Sequence, residues 1–442
     1  MNISFYKYFK KAEEKGIDPF QISFSETTEM TVSTLDGKVE SQEIGTSHSI
    51  AAKGLFQGRK AACSTDVIDD KTADYLTDSI CKNAKYGEKS KREYFCPGGL
   101  KYKKVKYAEG DFVDSDLKEI RETCLQMYPK VKRLDERIEK IEINLQKMTD
   151  KYKKENSLGL RLSRKTVSYS LAVVVSAFDK DTGDKQTGFA CAISYESLKD
   201  IVAKSEKIFS KAVKSAVDLL NAKSCSSRIC KAILSPKCFA DFLSAFAGQF
   251  NQKAVNKKIS LYCGKLKKQI VSPVLTIYNK PHMVSPAACS FDGDGYPTQD
   301  FCWIEKGKLK EYFRSIESAL QKKQKSNGCG SGGGNASYRL LWVEPGNVSL
   351  SQLLAEMRDG IYITDISGLN SGLDYDTLDF SLPCSGYMVE KGKIVSSVSM
   401  ITLSGNLKNV LENVQMLSNE KGFFNDIYLP SCLFFGAIIS GN

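Results

Sequence analysis

The stretch Asp379–Leu411, D-F-S-L-P-C-S-G-Y-M-V-E-K-G-K-I-V-S-S-V-S-M-I-T-L-S-G-N-L-K-N-V-L, constrains the fold more than any other part of the chain. Tyr387, Met388 and Val389 form a short β-prone run. Glu390-Lys391-Gly392-Lys393 is a turn, with glycine where a left-handed backbone is needed. Ile394, Val395, Val398, Ile401 and Leu403 continue as strand. Gly405 and Asn406 break it, and Leu407, Val410, Leu411 and Val414 then recur at helical spacing. A hairpin feeding straight into a helix requires a sheet with something packed on it.

The same string resembles the C-terminal signature of the TldD/PmbA family, also called modulators of DNA gyrase, and within it the PmbA (TldE) branch. The matching residues are Asp379-Phe380-Ser381, Gly386-Tyr387, Val389-Glu390-Lys391-Gly392-Lys393-Ile394 and Thr402-Leu403-Ser404-Gly405-Asn406-Leu407. Weaker matches extend the resemblance over roughly residues 20 to 440: Glu43, Gly45, Gly54 and Gly58 followed by Ser64-Thr65-Asp66; Phe291–Thr298; Gly334-Asn335-Ala336; and Gly360–Thr364.

With 442 residues the chain can bury a large core in two or three domains. No apolar run approaches the ~20 residues that span a bilayer, and the N-terminus lacks the apolar core of a signal peptide; a cytoplasmic, non-membrane protein is expected. Fourteen cysteines occur singly, with no C-x-x-C, which excludes a zinc ribbon and reads as buried thiols in a reducing compartment. The net charge of +11 is spread along the chain in mild clusters such as Lys101–Lys106 and Lys265–Lys268. These have little of the aromatic interleaving found in single-strand binders, so we read them as solvated faces rather than a nucleic-acid surface.

Read in order, Ser4 caps a first helix with Phe5, Tyr8, Phe9 and Ala12 on one face, ended by Gly16. Alternating strands follow, hinged by Asp36-Gly37, a strong two-residue hairpin signal. A helix starts near Lys71. The polar stretch from Cys96 onward reads as a linker. Asp116 with Glu119 suggests a capping box for a helix to about Tyr128, which Pro129 ends or kinks. Strands then alternate from Ile138 to Ile193, including Leu158-x-Leu160-x-Leu162, and a long helix follows from Leu198 to Leu220. The remainder is mostly strand and loop. The run Gly328–Gly334 is a flexible loop by composition, and Ser349–Met357 a short helix. The expected class is α+β: antiparallel sheets with helices on one face, two strand-helix units and a β-rich C-terminal domain. The expected units are 1–95, a linker at 96–112, 113–225 and 226–442.

The resemblance implies where chemistry would lie. TldD-type members resemble zinc peptidases whose helix carries H-E-x-x-x-H, two imidazoles for the metal and a carboxylate base for its water. A five-residue spacing spans about 140° on a regular helix, so such a site needs a distorted helix or helix end. The matching helix here begins at Ser235-Pro236. Aligned on Pro236 and Gly248, the His, Glu and His positions fall on Ser244, Ala245 and Gln249. None of these holds zinc tightly. The TldD-type C-terminal cysteine ligand has no equivalent setting around Cys432, which reads as strand. Only two histidines exist: His48, in a strand, and His282, in a Lys-Pro-His turn. Asp292-Gly-Asp294-Gly lacks the glutamate that closes a calcium loop. No Ser or Cys nucleophile has a plausible base.

The sequence therefore yields no catalytic residue, no metal ligand and no cofactor, and leaves the substrate-binding residues unknown. By resemblance, the expectation is a metal-free partner subunit in a heterodimer with a TldD-like zinc metallopeptidase, or a homodimer, acting on unfolded peptides. The alternatives are a stand-alone hydrolase with an unrecognised site and a non-enzymatic binding protein, with nucleic acid among its candidate partners.

Overall fold

The computed structural model describes residues 4–106, 115–285 and 287–441. The N-terminal half is built on six long antiparallel strands: β1 (Phe20–Leu35), β2 (Lys38–Phe56), β3 (Arg59–Thr65), β4 (Ile138–Asn156), β5 (Arg161–Phe178) and β6 (Lys185–Ser194). They form one sheet in the order β3-β2-β1-β4-β5-β6, so the two strand-helix units join through the β1–β4 pairing. Asp36 and Gly37 both have positive φ, as the two-residue hairpin requires, and Gln57-Gly58 repeats the device between β2 and β3.

Four helices cover this sheet: α1 (Tyr6–Glu14), α2 (Thr72–Asn83), α3 (Leu117–Lys132) and α4 (Leu198–Val217). Strand parity shows that they share one face. On β1, Phe20, Ile22 and Phe24 pack with α1 and α2, and Val32, of the same parity, packs with α3 and α4. The odd residues Ile141, Ile143 and Leu145 of β4 and Val167 to Ala177 of β5 join the second cluster. The opposite parity therefore points away from the helices, toward the C-terminal half.

The C-terminal half contains strands β7 (Arg228–Leu234), β8 (Ile277–Asn279), β9 (Phe301–Glu305), β10 (Lys308–Leu309), β11 (Gly330–Gly332), β12 (Asn335–Ala336), β13 (Leu341–Val343), β14 (Gly360–Ile366), β15 (Asp379–Glu390), β16 (Lys393–Asn406), β17 (Val414–Leu417), β18 (Gly422–Phe424), β19 (Ile427–Leu429) and β20 (Cys432–Ser440). Its helices are α5 (Pro236–Ala247), α6 (Gln252–Asn256), α7 (Ile316–Leu320), α8 (Leu350–Met357), α9 (Leu369–Gly372) and α10 (Leu407–Glu412). One sheet runs β16-β15-β14-β7-β20-β17, and β16 also pairs with β20, closing a barrel. A second runs β10-β9-β8-β13-β19-β18. Two pairings, β7–β14 and β13–β19, are parallel. The fold is α+β with predominantly antiparallel sheets, and the constraining stretch is β15, a Lys391-Gly392 turn, β16 and α10.

Several local expectations change. Phe5, not Ser4, holds the cap position with its ring buried in the core, while Ser4 Oγ accepts from the Tyr6 N–H at 3.5 Å. Helix α3 does begin with Asp116 accepting from the Glu119 N–H at 2.8 Å, yet it runs through Pro129 to Lys132. Buried Val131 continues the stripe of Ile120, Cys124 and Met127 and holds the last turn on the sheet. Leu158 and Leu160 lie in the β4–β5 turn, not in a strand, where Asn156 Oδ1 accepts from both their N–H groups. Val414 opens β17 instead of extending α10. The glycine run is ordered: β11 and β12 pair, and Cys329 is fully buried. Of the expected linker, 107–112 lies outside the described residues. In its earlier part, Cys96 and Tyr102 both donate to Gly295 O, at 3.2 and 2.9 Å, laying the segment against the C-terminal half.

Candidate functional site

Helix α5 starts where its sequence dictates. Ser235 Oγ accepts from the Cys238 N–H, and Pro236 occupies the first turn, where its missing N–H costs nothing. Cys238, Phe239, Phe242, Leu243 and Phe246 face inward. Phe246 lies 5.0 Å from Phe250, 5.2 Å from Tyr262 and 6.3 Å from Trp303, ring centre to ring centre, within an aromatic core. The helix then tightens into a 3-10 turn over Gly248–Phe250. Ser244 and Ala245 thus lie on the α-helix and Gln249 on the distorted end.

The polar members of this set are committed to structure. Tyr338 donates to Asn425 O at 3.0 Å, so the Ser244 hydroxyl, 3.0 Å away, donates to the Tyr338 oxygen. Asn425 in turn donates to Asp241 Oδ1 at 2.8 Å. Burial pushes up the Tyr338 hydroxyl, with the Ser244 hydrogen bond opposing it. Gln249 Nε2 donates to Tyr375 O at 2.5 Å and its Oε1 accepts from the Leu261 N–H at 3.1 Å. The hydroxyl and the amide tie this helix end to the segments of Tyr338, Tyr375 and Leu261, and the three side chains present no metal ligand. Zinc does not fit these residues.

The remaining residues singled out by sequence lie apart from that helix face or are already engaged. Cys432 is fully buried on β20, opposite Leu234 and Leu417, and burial pushes its thiol far up. His48 sits on β2 in register with Glu26. His282 orders its turn: Nδ1 lies 2.8 Å from Asp300 Oδ2 and Nε2 3.1 Å from Thr298 Oγ1. Burial raises the Asp300 carboxyl, but the His282 hydrogen bond and charge bring it below its ordinary range. Asp292 caps its own turn. Its Oδ1 accepts from the N–H groups of Asp294 and Tyr296, both at 2.9 Å, and Oδ2 from Gly330 N–H at 2.7 Å. Gly330 must be glycine, since a Cβ there would fall 2.4 Å from Asp294 Oδ2. Among the described residues no group of three or more His, Cys, Asp or Glu side chains could hold a metal ion.

Sequence reasoning missed a polar cleft of about 370 Å³ between the helix-free face of the first sheet and the C-terminal half. Asp150 and Tyr152 of β4 and Arg164 and Thr166 of β5 form one wall; Arg339 and Asp426 are on the other. The pairings Asp150↔Thr166 and Tyr152↔Arg164 put these side chains on one face. Tyr152 stacks on Phe291, ring centres 6.3 Å apart, and Lys154 donates to Gly293 O at 2.5 Å. The cleft adjoins the α5 network in the chain: Arg339 follows Tyr338, and Asp426 follows Asn425. The parity of β4 and β5 was the available signal, but it does not say what packs against that face.

The fold joins a helix-covered antiparallel sheet to a β-barrel half, and the end of α5 that the resemblance singles out carries hydroxyl, methyl and amide groups. The chain is similar to proteins of the TldD/PmbA family. A profile of the PmbA/TldA metallopeptidase C-terminal domain matches residues 227–441. The metalloprotease PmbA homolog of Buchnera aphidicola (from Baizongia pistaciae) is 29% identical over 287 residues, 65% of this chain and 62% of that relative. The match thus spans less than two thirds of that relative's length. Metalloprotease PmbA of Escherichia coli O157:H7 is 24% identical over 91% of this chain and 88% of its own. Among solved structures, a proposed modulator of a DNA gyrase from Thermotoga maritima superposes with a TM-score of 0.87 at 25% identity, covering 98% of this chain and 99% of that one. TldE from Thermococcus kodakarensis shares the fold, with a TM-score of 0.84 at 17% identity, covering 99% and 100%. No helix among the described residues is long and apolar enough to cross a membrane.

Proposed function

We propose that this chain is a PmbA/TldE-like, metal-free subunit that pairs with a TldD-like zinc metallopeptidase and completes the wall of a cavity in which unfolded peptides are cut. One observation carries the reading. The helix that would bear the metal is kept, with its cap, aromatic core and distorted end, while Ser244 and Gln249 spend their polar atoms on Tyr338, Tyr375 and Leu261. Zinc-water chemistry needs imidazoles and a carboxylate base in those places. A scaffold retained without its ligands suits a structural and peptide-holding role. The names of the PmbA relatives support a proteolytic setting, and catalysis in that setting comes from the partner. The test is to mix the purified chain with a cognate zinc-bearing homologue. We expect co-elution and a change in the rate or selectivity of peptide cleavage; the absence of both refutes the proposal.

A further inference from the structure

We propose that the outer face of the second C-terminal sheet is a stacking platform for single-stranded nucleic acid. Four aromatic side chains cross this sheet in one row. Trp342 of β13 pairs in register with Tyr278 of β8 on one side and with Tyr428 of β19 on the other, and Tyr428 pairs with Phe423 of β18. Directly paired residues share a face. Their chain neighbours Ile277, Leu341 and Ile427 point the other way, into the core that also holds α5. The row is therefore on the outer side, where all four rings are partly exposed. Ring centres lie 5.9 Å apart between Trp342 and Tyr428 and 4.5 Å apart between Tyr428 and Phe423. A hydrogen bond with Ser285 holds the Tyr428 hydroxyl in place.

Two lysines lie across this row. Lys280 Nζ is 4.7 Å from the Tyr278 ring centre and 5.1 Å from that of Trp342, and Lys421 Nζ is 4.8 Å from Trp342. Two carboxylates, Glu344 and Glu305, stand near the Tyr278 end, and Glu305 is ion-paired with Lys310 at 2.8 Å. An aromatic row alone would suit a sugar or an apolar partner as well. Cations laid over it select a polyanion, and a polyanion with flat aromatic faces is a nucleic acid with unpaired bases; a duplex hides those faces in its own stack. A lysine over an exposed ring gains less than a base stacked on that ring. Bases can thus displace the ammonium groups, which then meet backbone phosphates. Along the sequence these residues are not interleaved; the register of strands from distant segments makes the pattern.

The inference concerns the chain alone, so it stands or falls separately from pairing with a metallopeptidase. The test is titration of the full-length chain with oligothymidylate and oligouridylate of about twelve nucleotides, a length typical of single-strand sites, followed by anisotropy of the labelled oligomer. The chain has two tryptophans, and Trp303 is fully buried, so binding should also quench the Trp342 emission. We expect Trp342→Ala to weaken binding at least about tenfold, the loss of one stacked base, and Trp342→Phe to restore most of it without the quenching. Lys280→Gln with Lys421→Gln should lower the slope of log affinity against log salt by roughly 1.4, two phosphate contacts at about 0.7 each. Glu344→Gln should tighten binding, and a duplex of the same length should bind more weakly than either strand. Circular dichroism should be unchanged in every variant. No binding of either oligomer at low salt up to about 100 μM, affinity unchanged by the aromatic and lysine substitutions, equal binding of inorganic polyphosphate, or quenching by a neutral oligosaccharide in place of the oligomers would overturn the proposal.

Discussion

Restoring the peptidase ligands on α5 tests whether the site is dormant or dismantled. The triple substitution Ser244→His, Ala245→Glu, Gln249→His removes the Ser244–Tyr338 hydrogen bond and both side-chain bonds of Gln249. At about 0.5–1.5 kcal/mol net for each bond, the cost is about 2–4 kcal/mol. Tyr338 retains its bond to Asn425 O, so no buried hydroxyl is orphaned. With a denaturant slope of about 2 kcal/mol/M, the urea midpoint should fall by roughly 1–2 M. Trp303, fully buried against Phe250 at 5.1 Å, reports this core by fluorescence. Zinc retained after dialysis against a chelator should stay well below one equivalent. Two imidazoles lack a third partner, and Cys432 is sealed in the barrel with its thiol pushed far up by burial. One tightly held zinc per chain, or an unchanged midpoint, would refute the reasoning.

Phe246→Ala should destabilise the C-terminal half by about 3–5 kcal/mol, because the ring is fully buried among Phe250, Tyr262 and Trp303; tryptophan-detected denaturation measures it. Gly386→Ala should cost at least as much. Its new Cβ would sit 2.0 Å from Tyr362 O, forcing β15 away from β14, which should appear as lost soluble yield or a lower melting temperature. The Asp292 carboxyl is pushed up to about 7, by burial first and by Asp294 second. For an acid raised in the folded state, the associated stability is complete below its ordinary value near 4 and is lost as pH climbs to about 7. Asp292→Asn removes this titration, so melting temperatures should favour the variant relative to wild type more at pH 8 than at pH 5. A difference that does not change with pH would contradict the assignment.

What could be read before folding was local. Asp36-Gly37 and Lys391-Gly392 mark hairpins because two consecutive positive-φ residues have few chemical solutions, and Ser235-Pro236 marks a helix start for the same kind of reason. Pro129 misled because its local penalty is outweighed by the burial of Val131 two residues later. The glycine run misled in the other direction. Composition gives flexibility, but Gly330 is needed for close approach to Asp292 and Asp294, a contact made between distant segments. The absence of histidine ligands on α5 was legible, since it concerns residue types at fixed spacing. The cleft was not, because its walls, Arg164 on β5 and Asp426 in the β18–β19 turn, are brought to one space only by tertiary packing.

The position of β7 has a consequence for synthesis. This short strand leads directly into α5, and its two flanks are completed by β14 and β20, which follow far later in the chain. As the nascent polypeptide lengthens, Ala232, Ile233 and Leu234 emerge with both edges open, long before either neighbour exists. Until Gly360 and then Cys432 have been made, the barrel cannot shut, and its seam is an invitation to self-association or to chaperone capture.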